Sequence, residues 1–200
     1  MIGFLHEPEL SEGARRLFDD DVAELGYVMN VSRLWAYAPE VLEGLFKLTG
    51  AVAGGRLDLR TRGILVTAFA GAFGDSYCAL SWGGRLAEKS DAATAAGVIA
   101  GTDDTLSPAE RQLAAWARKV AREPSATRPE DVEALREAGF SDADIFAITA
   151  FVALRIAFAT VNDALGLSPD AELAETVAAP VLNAVTFGRP IAAAPKETQP

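Results

Sequence analysis

Two stretches of this chain, 63–73 and 145–165, carry apolar residues on nearly every side of a helical projection. The first reads Gly63-Ile64-Leu65-Val66-Thr67-Ala68-Phe69-Ala70-Gly71-Ala72-Phe73, and the second runs from Ile145 to Leu165 with Gly166 closing it. A helix without a polar side has to be covered all round, inside a subunit core or between subunits. That requirement governs the architecture, because other helices must wrap these two. Half of the 200 residues are apolar but only 8% are aromatic, a mixture that favours closely packed helices over a β-sandwich.

The surrounding sequence supplies the wrapping helices through repeated start and stop signals. Ser11 caps a helix through Ala14, Leu17, Val22 and Leu25 that Gly26 ends, and the Asp19-Asp20-Asp21 run within it reads as a solvated face. Pro39 opens a helix carrying Val41, Leu42, Leu45, Phe46 and Leu48. Asp58 and Asp75 cap two more, separated by Gly74, the second running to about Lys89. Ser90 is expected to cap a short helix with Ala93, Ala96 and Ile99. Ser107-Pro108-Ala109-Glu110 forms a capping box, with Leu113, Trp116, Ala117 and Val120 on one face behind it. Pro129 to Ala138 is a short amphipathic helix, and Ser141 to Asp144 opens the longest one. The expectation is an all-α, single-domain helical bundle over 1–200, with about eight to ten helices and a loose tail from about 190 to 200.

Charge and reactive-residue counts exclude several function classes. A net charge of −10 leaves no basic face for nucleic acid or for an anionic membrane surface. The amino terminus lacks a basic flank and apolar run, and the longest apolar stretches, 64–74 and 145–156, fall short of about 20 residues. The chain has one cysteine, Cys78, and one histidine, His6. No intrachain disulfide can form, and neither a Cys/His dyad nor a metal site is expected within one subunit. A lone thiol fits a reducing compartment, so the cytoplasm is the expected location. No Gly-rich phosphate loop or metal-ligand spacing occurs, and no cofactor is expected.

Cys78 lies at a helix start. Asp75, Cys78, Trp82 and Arg85 share one face by the i, i+3, i+4, i+7 rule, with Ser81 at its edge. The helix N-terminus lowers a thiol pKa while the Asp75 carboxylate raises it, and the two are expected nearly to balance. Arg85 stands about two turns on, too far along the axis to pair with the thiol. The balance describes an inert, partly buried sulfur.

The order of motifs is more specific than any one of them. Tyr27-Val28-Met29-Asn30 and Arg33 precede Pro39, then Leu57-Asp58-Leu59-Arg60-Thr61-Arg62, an apolar helix, and Tyr77-Cys78 at a helix start. Glu110-Arg111, Glu133 through Asp142, and Asn162-Asp163-Ala164-Leu165-Gly166-Leu167 follow. Across about residues 25–175 this resembles the carboxymuconolactone decarboxylase and alkylhydroperoxidase D-like superfamily, in its peroxidase-related branch. The resemblance implies an all-helical oligomer (dimer, trimer or hexamer) and a peroxide-reducing antioxidant activity. Thiol-peroxidase members resemble C-x-x-C-x-x-x-H here, with a glutamate on the preceding helix. Asp75 stands at the first cysteine, Cys78 at the second, Trp82 at the histidine and Gly63 near the glutamate, so only Cys78 matches. A second branch resembles E-Y-E-W-x-H-H, of which Tyr77 keeps the tyrosine while Cys78 replaces the second glutamate and Trp82 the final histidine.

A peroxidatic thiolate needs a base and a resolving thiol, and neither is encoded nearby, so peroxide reduction would need an external thiol. His6 is expected to be an exposed terminal residue. Arg155, inside the apolar 145–165 helix, needs either an internal ion pair, with Asp75 or Asp163, or an anionic ligand such as a substrate carboxylate. Ser76 and Tyr77 either line the same pocket or, for Tyr77, pack the ring and bond a backbone carbonyl. Trp35, Tyr37 and Trp116 are expected in core or subunit contacts. The candidate site is therefore Cys78, Asp75 and Tyr77 as reacting residues, with Trp82 and Arg155 binding substrate. Two function classes stay open: an oxidoreductase or lyase-like enzyme working through Cys78, and a degenerate oligomeric scaffold or small-molecule-binding module.

Overall fold

Capping chemistry sets most element boundaries in the computed structural model, which describes residues 1–193. The helices are α1 (Glu12–Leu25), α2 (Asn30–Trp35), α3 (Pro39–Ala53), α4 (Leu59–Phe73), α5 (Ser76–Lys89), α6 (Ala92–Ala100), α7 (Pro108–Arg122), α8 (Pro129–Glu137), α9 (Asp142–Ala164), α10 (Leu173–Thr176) and α11 (Ala179–Ala184). Eight of the eleven have seven or more residues, and no strand forms among the described residues, so the fold is the expected all-α bundle. Ser11, Asp58, Asp75, Ser107 and Ser141 each accept a backbone N–H from the first turn of the helix that follows. Both expected capping boxes form, at Ser107/Glu110 and Ser141/Asp144.

Helix α4 is the axis of the bundle. It packs on α5, α6, α7 and α9, and every residue from Gly63 to Ala70 is buried. The subunit itself therefore covers the first of the two apolar stretches. Phe69 of α4 and Phe151 of α9 are among the largest fully buried side chains; truncating such a residue to alanine typically costs about 3–5 kcal/mol. Helix α9 has 23 residues and holds an 18-residue stretch with a mean hydropathy of 1.9, long and apolar enough to cross a membrane by that measure, and longer than the apolar run suggested. Its buried face meets α3, α4, α7 and α8, and it carries Arg155 and Asn162 inward.

Several expectations are corrected. Ser90 ends α5, and Asp91 caps α6 through Thr94; the inward residues of α6 are Thr94, Ala95, Val98 and Ile99. Periodicity could not separate two adjacent residues that both make good caps. In α1, Val22 and Leu25 are exposed, whereas Asp21 of the expected solvated run is buried. In α3, Leu42 is buried, while Val41, Phe46 and Leu48 are exposed by about half.

The burial of Asp21 has a clear cause. Helix α2 has no local side-chain cap, and two distant carboxylates supply one. Asp21 accepts from Met29 N at 2.9 Å, and Asp170 accepts from Asn30 N at 2.6 Å. Both anions sit where the helix presents its unpaired N–H groups.

Short α10 and α11 had no periodic signal. Helix α11 lies on α6 and α5 with Val181 fully buried. After it, the chain returns to the start of α5, where Ser76 Oγ donates to Arg189 O at 2.7 Å and accepts from Arg189 N at 3.0 Å. Gly188 makes this approach possible: a Cβ there would lie 2.7 Å from Gly74 O, and its φ is +70°. Ala192 N donates to Pro169 O at 2.8 Å. The rest of the expected loose tail, 194–200, lies outside the described residues.

Candidate functional site

The single cysteine faces a cavity of about 370 Å³ bounded by α2, α3, α4, α5 and α9. Helix α5 contributes Tyr77, Cys78, Ser81, Trp82 and Arg85, and Cys78, Trp82 and Arg85 follow the spacing of one helical face. Phe46, Leu59, Phe151 and Phe158 supply apolar wall, and Arg62 and Arg155 add two further cations. Such a volume is at the small end of ligand sites.

Cys78 is only 1% exposed, and its sulfur has a charged neighbour. Arg155 Nη2 donates to Cys78 Sγ at 3.4 Å. The Arg155 guanidinium lies 5.3 Å from the Trp82 ring centre and 4.9 Å from that of Phe158. Phe158 is in turn stacked on Trp35, whose indole N–H donates to Asn162 Oδ1 at 2.8 Å. These contacts hold the guanidinium between aromatic rings, with Nε lacking any hydrogen-bond partner. No carboxylate comes within 4 Å of Arg155 among the described residues. The internal ion pair with Asp75 or Asp163 does not form.

Asp75 is fully buried at the head of α5. Its Oδ1 accepts from Cys78 N at 3.0 Å, and its Oδ2 has no partner. Burial raises the Asp75 pKa, against the opposing effects of Cys78 and Arg155. Burial also pushes the Cys78 thiol well above its ordinary range; the Asp75 charge adds to this and Arg155 opposes it. The expected near-balance is thus overturned, because desolvation of a thiolate outweighs the helix N-terminus. Tyr77 is likewise raised well above its usual range, first by burial and then by Asp170. Its hydroxyl donates to Asp170 Oδ2 at 2.6 Å, a carboxylate where a backbone carbonyl was expected.

Solved structures share this arrangement of helices. An uncharacterized peroxidase-related protein from Ralstonia eutropha JMP134, described as an alkylhydroperoxidase AhpD core, is 26% identical with a TM-score of 0.76, over 86% of this chain and 95% of that one. The chain has the alkylhydroperoxidase D-like fold. An uncharacterized peroxidase-related protein from Silicibacter sp. TM1040 is 22% identical, with a TM-score of 0.77 over 86% of this chain and 94% of that one. The debrominase Bmp8 is 17% identical, with a TM-score of 0.70 over 92% and 97% of the two chains. No family model matches the sequence, and no curated protein does.

Within this alkylhydroperoxidase D-like frame, four of the five residues singled out from sequence line the cavity: Tyr77, Cys78, Trp82 and Arg155. Asp75 stands behind them against Cys78. Ser76 faces away, holding Arg189. His6 is exposed and does not line the cavity, and its carbonyl accepts from Tyr37 OH. Trp35 and Trp116 are buried, whereas Tyr37 is half exposed. No group of three or more His, Cys, Asp and Glu side chains capable of holding a metal forms among the described residues.

Arg62 and Asp170 escaped the sequence reading, and Arg85 was read on the Cys78 face without a role. Arg85 was legible as the i+7 partner of Cys78, but distance from the thiol set it aside, although it faces the same cavity. Arg62 follows the Asp58 cap by one turn and carried no signal of its own. Asp170 lies in irregular chain after Gly166, where no periodicity points inward.

Proposed function

We propose that this alkylhydroperoxidase D-like protein is a one-cysteine, thiol-dependent oxidoreductase that reduces a small organic hydroperoxide. The observation that carries the reading is the contact of Arg155 Nη2 with Cys78 Sγ inside an open cavity. A filled site around Trp82 would have favoured a scaffold.

Each step can be balanced with these residues and an external low-molecular-weight thiol. Asp75 takes the thiol proton, and Arg155 holds the thiolate. The sulfur attacks the hydroxyl oxygen of the hydroperoxide, so an S–O bond forms and the O–O bond breaks. The alkoxide leaves and recovers the proton from Asp75, giving an alcohol and a Cys78 sulfenic acid. One external thiol condenses with the sulfenic acid, releasing water and forming a mixed disulfide; a second releases Cys78 and leaves as the external disulfide. The external reductant replaces the resolving cysteine this chain lacks.

The test is consumption of an organic hydroperoxide with dithiothreitol as reductant. Turnover is expected in the wild type, none in Cys78→Ser, and a loss of about 100-fold or more in Asp75→Asn, whose amide cannot return a proton to the leaving alkoxide even though its thiol ionises more readily. Equal rates in the wild type and Cys78→Ser overturn the thiol mechanism. The raised thiol pKa favours the second reading, a ligand-binding module with a silent sulfur; binding without turnover is its signature.

A further inference from the structure

Three guanidinium groups, Arg62, Arg85 and Arg155, face the Cys78 cavity, and among the described residues no aspartate or glutamate lines it. This is unexpected for a chain with 28 acidic and 18 basic residues. None of the three lies within 4 Å of a carboxylate among the described residues. Two of them share one ring: Arg85 lies 5.2 Å and Arg155 5.3 Å from the centre of Trp82. Two cations on one indole repel each other, and the ring quadrupole offsets only part of that. Arg155 is 7% exposed and keeps a buried Nε without a partner. A guanidinium so placed retains unused donors in a fixed fork, the geometry that matches a carboxylate.

The remaining walls decide what carries the charge. Met29, Val31, Leu59, Phe151 and Phe158 outnumber the hydroxyls of Thr49, Tyr77 and Ser81, two of which already donate to Leu45 O and Asp170, and leave little to hydrate a bare inorganic ion. They fit a compact apolar or aromatic body.

We infer that the cavity takes an organic acid, its carboxylate neutralising the arginines gathered around Trp82 and its apolar body lying against Phe151 and Phe158. The inference deepens the thiol-oxidoreductase reading and rests on it for the reaction: the hydroperoxide is one that itself bears a carboxylate. Recognition of the acid is an equilibrium property, so it is measured separately from turnover.

Calorimetric titration at low ionic strength compares benzoate and hexanoate with benzamide and hexanamide, which keep the shape and lose the charge. Each acid is expected to bind at least about tenfold more tightly than its amide, and added salt should weaken only the acids. Arg62 is half-buried and Arg85 exposed, so an Arg62→Gln/Arg85→Gln variant is expected to keep wild-type circular dichroism and lose most of the acid's advantage. Binding and turnover are read in separate assays on the wild type, so a failed turnover assay leaves the carboxylate result standing, and the reverse also holds. Equal binding of acid and amide overturns the inference, as does an unchanged acid preference in the double variant. Inorganic phosphate binding as tightly as benzoate also overturns it, because the site would then select charge without an organic body.

Discussion

Tyr77 donates its hydroxyl to Asp170 Oδ2 at 2.6 Å, joining the residue beside the only cysteine to a carboxylate 93 positions later. Asp170 spends its other oxygen on Asn30 N, so one buried side chain ties α5 to the start of α2. Both elements bound the cavity, and the pair fixes the wall on that side. Tyr77→Phe leaves a buried carboxylate oxygen unpaired and is expected to cost about 1–3 kcal/mol, read as a lower urea midpoint at unchanged slope. An unaltered midpoint would mean that the bond contributes nothing to folding.

The neighbours of Cys78 act on the thiol with opposite signs, so two variants should move its reactivity in opposite directions. Asp75→Asn keeps a side-chain acceptor for the Cys78 N–H and removes a charge that raises the thiol pKa, so iodoacetamide should label the protein faster at pH 8. Arg155→Met removes the cation that lowers it, and labelling should slow. Rates measured from pH 7 to 10 check both; parallel changes would refute the assignment.

Arg155 costs the fold something that the site uses. A buried guanidinium without a carboxylate partner is poorly compensated, and a methionine fills similar space. Arg155→Met is therefore expected to raise stability by about 1–4 kcal/mol while weakening benzoate binding. Paired denaturation and titration measurements on one preparation test the trade.

Asp163 gives a pH dependence with a definite sign. Burial, reinforced by Asp75 and opposed by Arg189, pushes its carboxyl from the ordinary 3.8 to about 6. A raised acid binds its proton more tightly in the folded state, so its contribution favours folding below pH 3.8 and is lost as pH rises through about 6. At pH 7 the charged form is a penalty of about 1 kcal/mol after discounting for its partial exposure to solvent. Asp163→Asn should stabilise the protein at pH 7.5 and hardly at all at pH 4, by thermal unfolding at each pH.

We propose that the chain self-associates. Val41 and Leu48 of α3 are exposed by more than half, Phe46 by 45% and Phe146 of α9 by 73%, an apolar exposure larger than a lone subunit needs. Light scattering at micromolar concentration should give a multiple of 21.0 kDa, and Phe146→Asp should reduce it. A monomeric mass for the wild type would contradict this.

Local chemistry determined the helices. Caps such as Ser11, Asp58, Asp75, Ser107 and Ser141 act within three residues of themselves, so the sequence displays them directly, and the apolar 63–73 stretch announced its own burial. The shared face of Cys78, Trp82 and Arg85 was equally visible, because helical spacing alone creates it. Tertiary structure decided everything that depended on a partner far along the chain. Asp21 looked solvated and proved buried, since α2 lacked a cap of its own and took one from α1 and another from Asp170. Arg155 looked open to an internal salt bridge or an anionic ligand; packing placed it on the thiol and two aromatic rings, with no carboxylate within 4 Å among the described residues. The Cys78 thiol changed most, because a helix terminus is a local property whereas desolvation belongs to the assembled core.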